Sequence, residues 1–202
     1  MIAENSLHNK HCFTTLSVKS VINNVLCHLS NCTALVKFES PLDLNDSCLP
    51  ICLLPRNATM ESGKECYVTG WGRIRADGPK FCFLREAKVR LVSNDTCNKI
   101  SSYNGTIHSR ALCAGTQEGG IGPCKFDSGG PLACSYGGFW YLVGIVSWGE
   151  GCGLPEKYGV YSNMFELSSW IKEIIRSKLR DTWLVYSLSK SLSYSRIKDY
   201  KH

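Results

Sequence analysis

A serine flanked by an acid and two glycines can carry nucleophilic chemistry, and this chain holds one in Gly122-Pro123-Cys124-Lys125-Phe126-Asp127-Ser128-Gly129-Gly130-Pro131-Leu132-Ala133-Cys134. Ser128 offers a hydroxyl. The glycines let the backbone come close to a substrate, and successive backbone N–H groups can converge where an oxyanion forms. Asp-Ser-Gly-Gly alone also suits a surface turn, because all three residue types favour turns. The cysteines that bracket the run and the strand-forming sequence after it favour a fixed nucleophile turn.

Such a turn needs a scaffold, and the chain supplies short strands. Val18–Ile22 and Ala34–Phe38 are apolar and β-branched, and so predict strands. Glu65–Gly70, Leu84–Ser93, Ala111–Ala114, Pro131–Cys134, Phe139–Val146 and Tyr158–Asn163 follow at close spacing. Many short strands separated by glycine turns point to an all-β, closed antiparallel barrel. Ser168 or Ser169 is the expected cap of a helix whose Trp170, Ile171, Ile174 and Ile175 share a face. Residues 1–17 show no periodicity, 18–178 form the expected domain, and 179–202 read as a polar and basic tail.

Composition narrows the function classes. The chain has 202 residues and a net charge of +6, with the basic residues scattered, so no concentrated face for tracking phosphates is expected. No apolar run approaches the roughly 20 residues of a membrane span. Twelve cysteines point to an oxidising compartment and a disulfide framework. Without a C-x-x-C pair no metal site is expected, and no cofactor either. Five Asn-x-Ser/Thr sequons, at Asn31, Asn45, Asn57, Asn94 and Asn104, agree with a secreted glycoprotein. Met1-Ile2-Ala3-Glu4-Asn5 lacks the apolar centre of a signal peptide, so an exported protein without its export signal is the expectation.

Cys-x-x-Asp-Ser-Gly-Gly-Pro-Leu, preceded by Cys113-Ala114-Gly115 and followed by Ser147-Trp148-Gly149 and Gly159-Val160-Tyr161, resembles the trypsin/chymotrypsin family of serine endopeptidases. The resemblance runs from about Val18 to Lys178. It implies a chymotrypsin-like fold with the second barrel complete, the first partial and a helix at the end. It also implies three bridges, Cys66 with Cys134, Cys97 with Cys113 and Cys124 with Cys152. Cys12, Cys27, Cys32, Cys48, Cys52 and Cys82 have no assigned partner.

The resemblance makes Ser128 the nucleophile, Phe126, Asp127 and Ser128 the oxyanion donors, and Gly122, Ser147, Trp148, Gly149 and Gly159 the substrate pocket. Gly122 stands where trypsin-type members carry an aspartate, so the pocket should take apolar or small side chains. Tyr158 replaces a common proline, and in the family tyrosine there accompanies sodium. The base is the weak point. His11, in His11-Cys12-Phe13, echoes the end of Thr-Ala-Ala-His-Cys but stands only a few residues before Val18; it is the candidate base ahead of His28, His108 and His202. Relatives carry Asn-Asp-Ile-Ala-Leu-Leu-Lys where this chain reads Asn31-Cys32-Thr33-Ala34-Leu35-Val36-Lys37, placing a thiol where the orienting acid belongs. Phe126 stands at a family glycine and is expected to resist the required backbone angles. Asp127 in relatives pairs with a freed N-terminus beginning Ile-Val-Gly-Gly, a segment this chain lacks. Two functions are therefore expected: an endopeptidase with impaired turnover, or a non-catalytic binder of peptides or of a partner protease, in either case with upstream modules possible.

Overall fold

The computed structural model describes residues 18–23, 33–40, 49–55, 58–79, 82–177 and 183–187. Six strands form the barrel: β4 (Glu65–Gly70), β5 (Arg85–Val92), β6 (Ala111–Gly115), β7 (Pro131–Tyr136), β8 (Phe139–Trp148) and β9 (Gly159–Asn163). Their order is β8-β7-β4-β5-β6-β9, and pairing of β8 with β9 closes the ring, so no strand of the ring is left with an open edge. Val89, Leu132, Leu142, Val143, Ile145 and Tyr161 belong to one core cluster and are fully buried or nearly so, and Val160 is buried in a second cluster with Tyr103 and Tyr158. The Gly137-Gly138 turn between β7 and β8 has φ of 56° and 82°, angles that glycine adopts without a Cβ penalty.

A second sheet has β2 (Thr33–Phe38) between β1 (Val18–Asn23) and β10 (Trp183–Ser187), all antiparallel. Every residue of β2 is buried, and Leu35 belongs to the same core as the barrel residues. The tail expected over 179–202 therefore contains a strand. Trp183, Leu184, Val185 and Tyr186 are strand formers in composition, and β2 gives them a partner. The connector contributes β3 (Cys52–Leu53), which runs parallel to β8.

The C-terminal helix α2 spans Met164–Ser177 and begins earlier than a Ser168 or Ser169 cap requires. Asn163 caps it instead, its Oδ1 accepting from Phe165 N at 3.0 Å. Met164, Leu167, Ile171 and Ile175 form the buried face, with Trp170 and Ile174 packed at its margin. Lys172 Nζ donates to Leu54 O at 3.3 Å, which ties the helix to the connector. The bridges Cys66–Cys134, Cys97–Cys113 and Cys124–Cys152 are all formed.

Candidate active site

The nucleophile turn lies between β6 and β7 and is fixed to the barrel at several points. Cys124 is bonded to Cys152 beyond the end of β8. Gly129 N donates to Val146 O and Val146 N to Gly130 O, each at 2.8 Å. Gly130 N donates to Asp127 O at 2.9 Å, which closes a tight turn around Ser128. Residue 126 has φ 78° and Gly129 has φ 86°. Phe126 thus adopts the left-handed conformation that it was expected to resist. Its ring is half exposed, and the Arg73 guanidinium lies 5.2 Å from the ring centroid.

Of the expected oxyanion donors, Asp127 N donates to Cys124 O at 3.1 Å within the turn.

Asp127 points away from Ser128's cleft into a small cavity of about 60 Å³ shared with Gly70, Gly72, Arg73 and Gly122. Its Oδ1 accepts from Gly72 N at 2.8 Å and its Oδ2 from Cys124 N at 3.0 Å. Glycine is required on both sides of this carboxylate, because a Cβ at Gly70 or Gly72 would run into it. Burial pushes the Asp127 carboxyl above the usual carboxylate range, and the two N–H donors only partly offset that. Fully buried Tyr161 shares the neighbourhood: its hydroxyl is pushed up by burial first and by the Asp127 charge second. No side-chain cation is hydrogen-bonded to Asp127 among the described residues.

Ser128 opens onto a different void. A cleft of about 290 Å³ is lined by Ser128, Pro123, Lys125, Ser147, Trp148 and Gly149 among others. β8 reaches it through an irregularity: Val146 pairs with Tyr161 and Trp148 with Val160, so Ser147 is an extra residue. Such a bulge redirects the strand at the rim, as bulges beside functional sites commonly do. At Gly149 an added Cβ would come no nearer than 3.8 Å to anything, so this glycine keeps the cleft open.

Gly122 lines the Asp127 cavity. Gly159 packs against the cleft-wall residue Pro123, where a Cβ would approach Pro123 Cγ to 2.7 Å, and its Cα lies 4.0 Å from a Cβ placed at Gly149.

The outer support of the cleft comes from a loop that no motif marks. Tyr103 is buried with its ring edge-on to Trp148 at 5.0 Å. Its hydroxyl donates to Tyr158 O at 2.6 Å and accepts from Glu150 N at 3.3 Å. Lys157 Nζ reaches Glu150 at 2.6 Å and Ser102 O at 2.7 Å, which joins the same rim. Only a tyrosine in a glycine- and asparagine-rich loop hinted at this.

His11, His28, His202 and Cys32 lie outside the described residues, as do Cys12, Cys27 and Cys48. His108 is exposed in the turn before β6, and its carbonyl accepts from Ala111 N at 2.9 Å. Among the described residues no histidine is hydrogen-bonded to Ser128, and Cys52 and Cys82 carry free thiols. No cluster of metal-ligating side chains is found among them either, and no helix is long and apolar enough to cross a membrane.

The chain is 40% identical to human testisin over 147 residues, 70% of this chain and 47% of testisin. It is 45% identical to bovine coagulation factor XI over 140 residues, 69% of this chain and 22% of that protein. The chain thus spans about half the length of one relative and about a fifth of the other. The family model named Trypsin matches residues 14–171, and with the six-stranded barrel, the three bridges and the Ser128 turn, the chain belongs to the trypsin family of serine proteases.

Proposed function

We propose that this chain is a secreted serine endopeptidase homologue in which the substrate cleft and Ser128 are retained while turnover is strongly reduced. The observation that carries this reading is the state of Asp127. Its carboxylate is buried beside a small cavity and is held by two backbone N–H groups, with no cation bonded to it among the described residues. A buried charge in that condition is costly, and the family relieves it with an ammonium group that also organises the oxyanion donors. Cys32 standing for the orienting acid adds a second deficit, worth about 10⁴ in turnover when that acid is lost from a serine-protease triad.

The cleft itself supports peptide binding. No acidic side chain lines it, and its walls are Trp148, Pro123 and the open space at Gly149, which suits small or apolar side chains. That favours a second, non-catalytic reading, in which the groove holds a peptide or a partner protease. Incubation of the protein with a mixed peptide library, against S128A as control, tests the proposal by mass spectrometry. The expected result is no cleavage that depends on Ser128. Efficient Ser128-dependent cleavage after one class of side chain would overturn it.

A further inference from the structure

The loop that supports the cleft carries a sequon, Asn104-Gly105-Thr106, and its hydrogen bonds leave one side chain unused. Asn98 is fully engaged: its Nδ2 donates to Ile107 O at 3.0 Å and its Oδ1 accepts from Ile107 N at 2.9 Å. Asn104 N donates to Lys99 O, Gly105 N to Asn98 O and Thr106 N to Tyr103 O. Thr106 Oγ1 donates to Tyr103 O at 2.7 Å. With its own N–H tied down, Asn104 stands at φ 44° at the tip, exposed, its carboxamide bonded to no described residue. Asparagine tolerates this left-handed angle better than most residues. An Ala-sized atom at Gly105 would meet nothing within 4 Å, so the space beyond the tip is open.

We propose that Asn104 is an N-glycosylation site and that its glycan stands on the rim of the Ser128 cleft. The placement follows from the chain: the preceding residue, Tyr103, packs edge-on against cleft-lining Trp148, while Asn104 faces solvent. The other sequon in the described residues, at Asn94, begins the four-residue helix α1 (Asn94–Cys97), where the Thr96 hydroxyl accepts from the capping Ser93 at 3.0 Å. Modification requires a lipid diphosphate-linked oligosaccharide as donor. The Asn104 amide nitrogen bonds to the anomeric carbon and loses one proton. The carbon–oxygen bond to the diphosphate breaks, and the lipid diphosphate leaves with the electron pair. Passage through an oxidising export compartment, which the three bridges favour, supplies that setting. The site does not depend on whether Ser128 is reactive.

The test is expression of the full chain behind a cleavable export leader in secretory cells, with secreted and cell-associated pools both digested and mapped. Tryptic cleavage isolates Ile100–Arg110, which contains this sequon alone. Treatment with peptide N-glycosidase in heavy-oxygen water should leave a heavy-oxygen-labelled aspartate at position 104. N104Q should lose the mass of one glycan, and T106S, which keeps the sequon, should retain it. Reading both pools keeps the test valid where a variant folds poorly. Unmodified asparagine at 104 in molecules glycosylated elsewhere would overturn the proposal. So would an unlabelled aspartate, the signature of spontaneous Asn-Gly deamidation.

Discussion

The turn at 122–130 separates two voids that differ in kind. On one side Ser128 opens to a cleft of about 290 Å³ with aromatic and glycine walls. On the other, Asp127 lines a smaller cavity of about 60 Å³ with Gly70, Gly72 and Gly122. The cleft is braced from outside by Tyr103, and its shape needs nothing further. The small cavity holds a carboxyl group pushed toward protonation by burial. Nine consecutive residues therefore face an open cleft on one side and hold a buried carboxyl group on the other.

The comparison can be broken most severely where both sides share a support. Removing the Cys124–Cys152 bridge in C124A/C152A frees the turn on both faces. A bridge spanning 28 residues contributes about 3–4 kcal/mol by the chain-entropy relation, read as a loss in unfolding free energy by denaturant titration. Loss below 1 kcal/mol would mean that the hydrogen bonds to Val146 hold the turn by themselves.

The two sides can next be disturbed one at a time. Gly72→Ala places a methyl group against the Asp127 carboxylate and should cost about 1–3 kcal/mol through overpacking. Peptide binding to the cleft should change far less than stability does. Tyr103→Phe acts on the other side, leaving Tyr158 O and Glu150 N without their partner, for about 1–2 kcal/mol. Here peptide affinity should weaken along with stability, because the ring that backs Trp148 is no longer tied to Tyr158 and Glu150. If both variants affected binding equally, the two voids would not be independent.

The smallest effect is one of pH. The Asp127 carboxyl titrates higher folded than unfolded, so between those two values the folded state binds more protons. Stability from this group is therefore highest below the ordinary aspartate range. It falls as pH rises through the raised value and levels off above it. Thermal unfolding across that window should show the decline in the parent chain and a flatter profile in D127N. A parent-minus-D127N difference that rises with pH would place a cation beside Asp127.

Much of the barrel was legible from short strand-forming runs and glycine turns, and the three bridges formed where the family resemblance put them. The start of α2 was not, because its cap is Asn163, a residue that also ends β9 and so belongs to a strand pattern. Strand β10 was hidden for a different reason: Trp183–Tyr186 has strand composition, but its partner lies in β2, far back in the sequence. At the site, the motifs named Ser128 and Ser147–Gly149, which the structure places around one cleft. That Gly122 faces the Asp127 cavity and that Asp127 N bonds Cys124 O was not legible, since which side of a turn a residue faces depends on packing that motifs do not encode. Phe126 is the instructive error. A bulky residue at φ 78° is unfavourable in isolation, yet the turn fixed by Gly130, Val146 and Cys124 imposes it, with Arg73 stacked on the exposed ring.

The reactivity of the Ser128 hydroxyl tests the central claim most directly. Fluorophosphonate labelling followed by intact mass, with S128A as control and active trypsin alongside, reports whether that oxygen is activated. Labelling slower than trypsin's by about 10⁴ is the predicted outcome. Complete labelling of Ser128 at a trypsin-like rate would contradict it, and would mean that a base and a counter-charge for Asp127 are both in place.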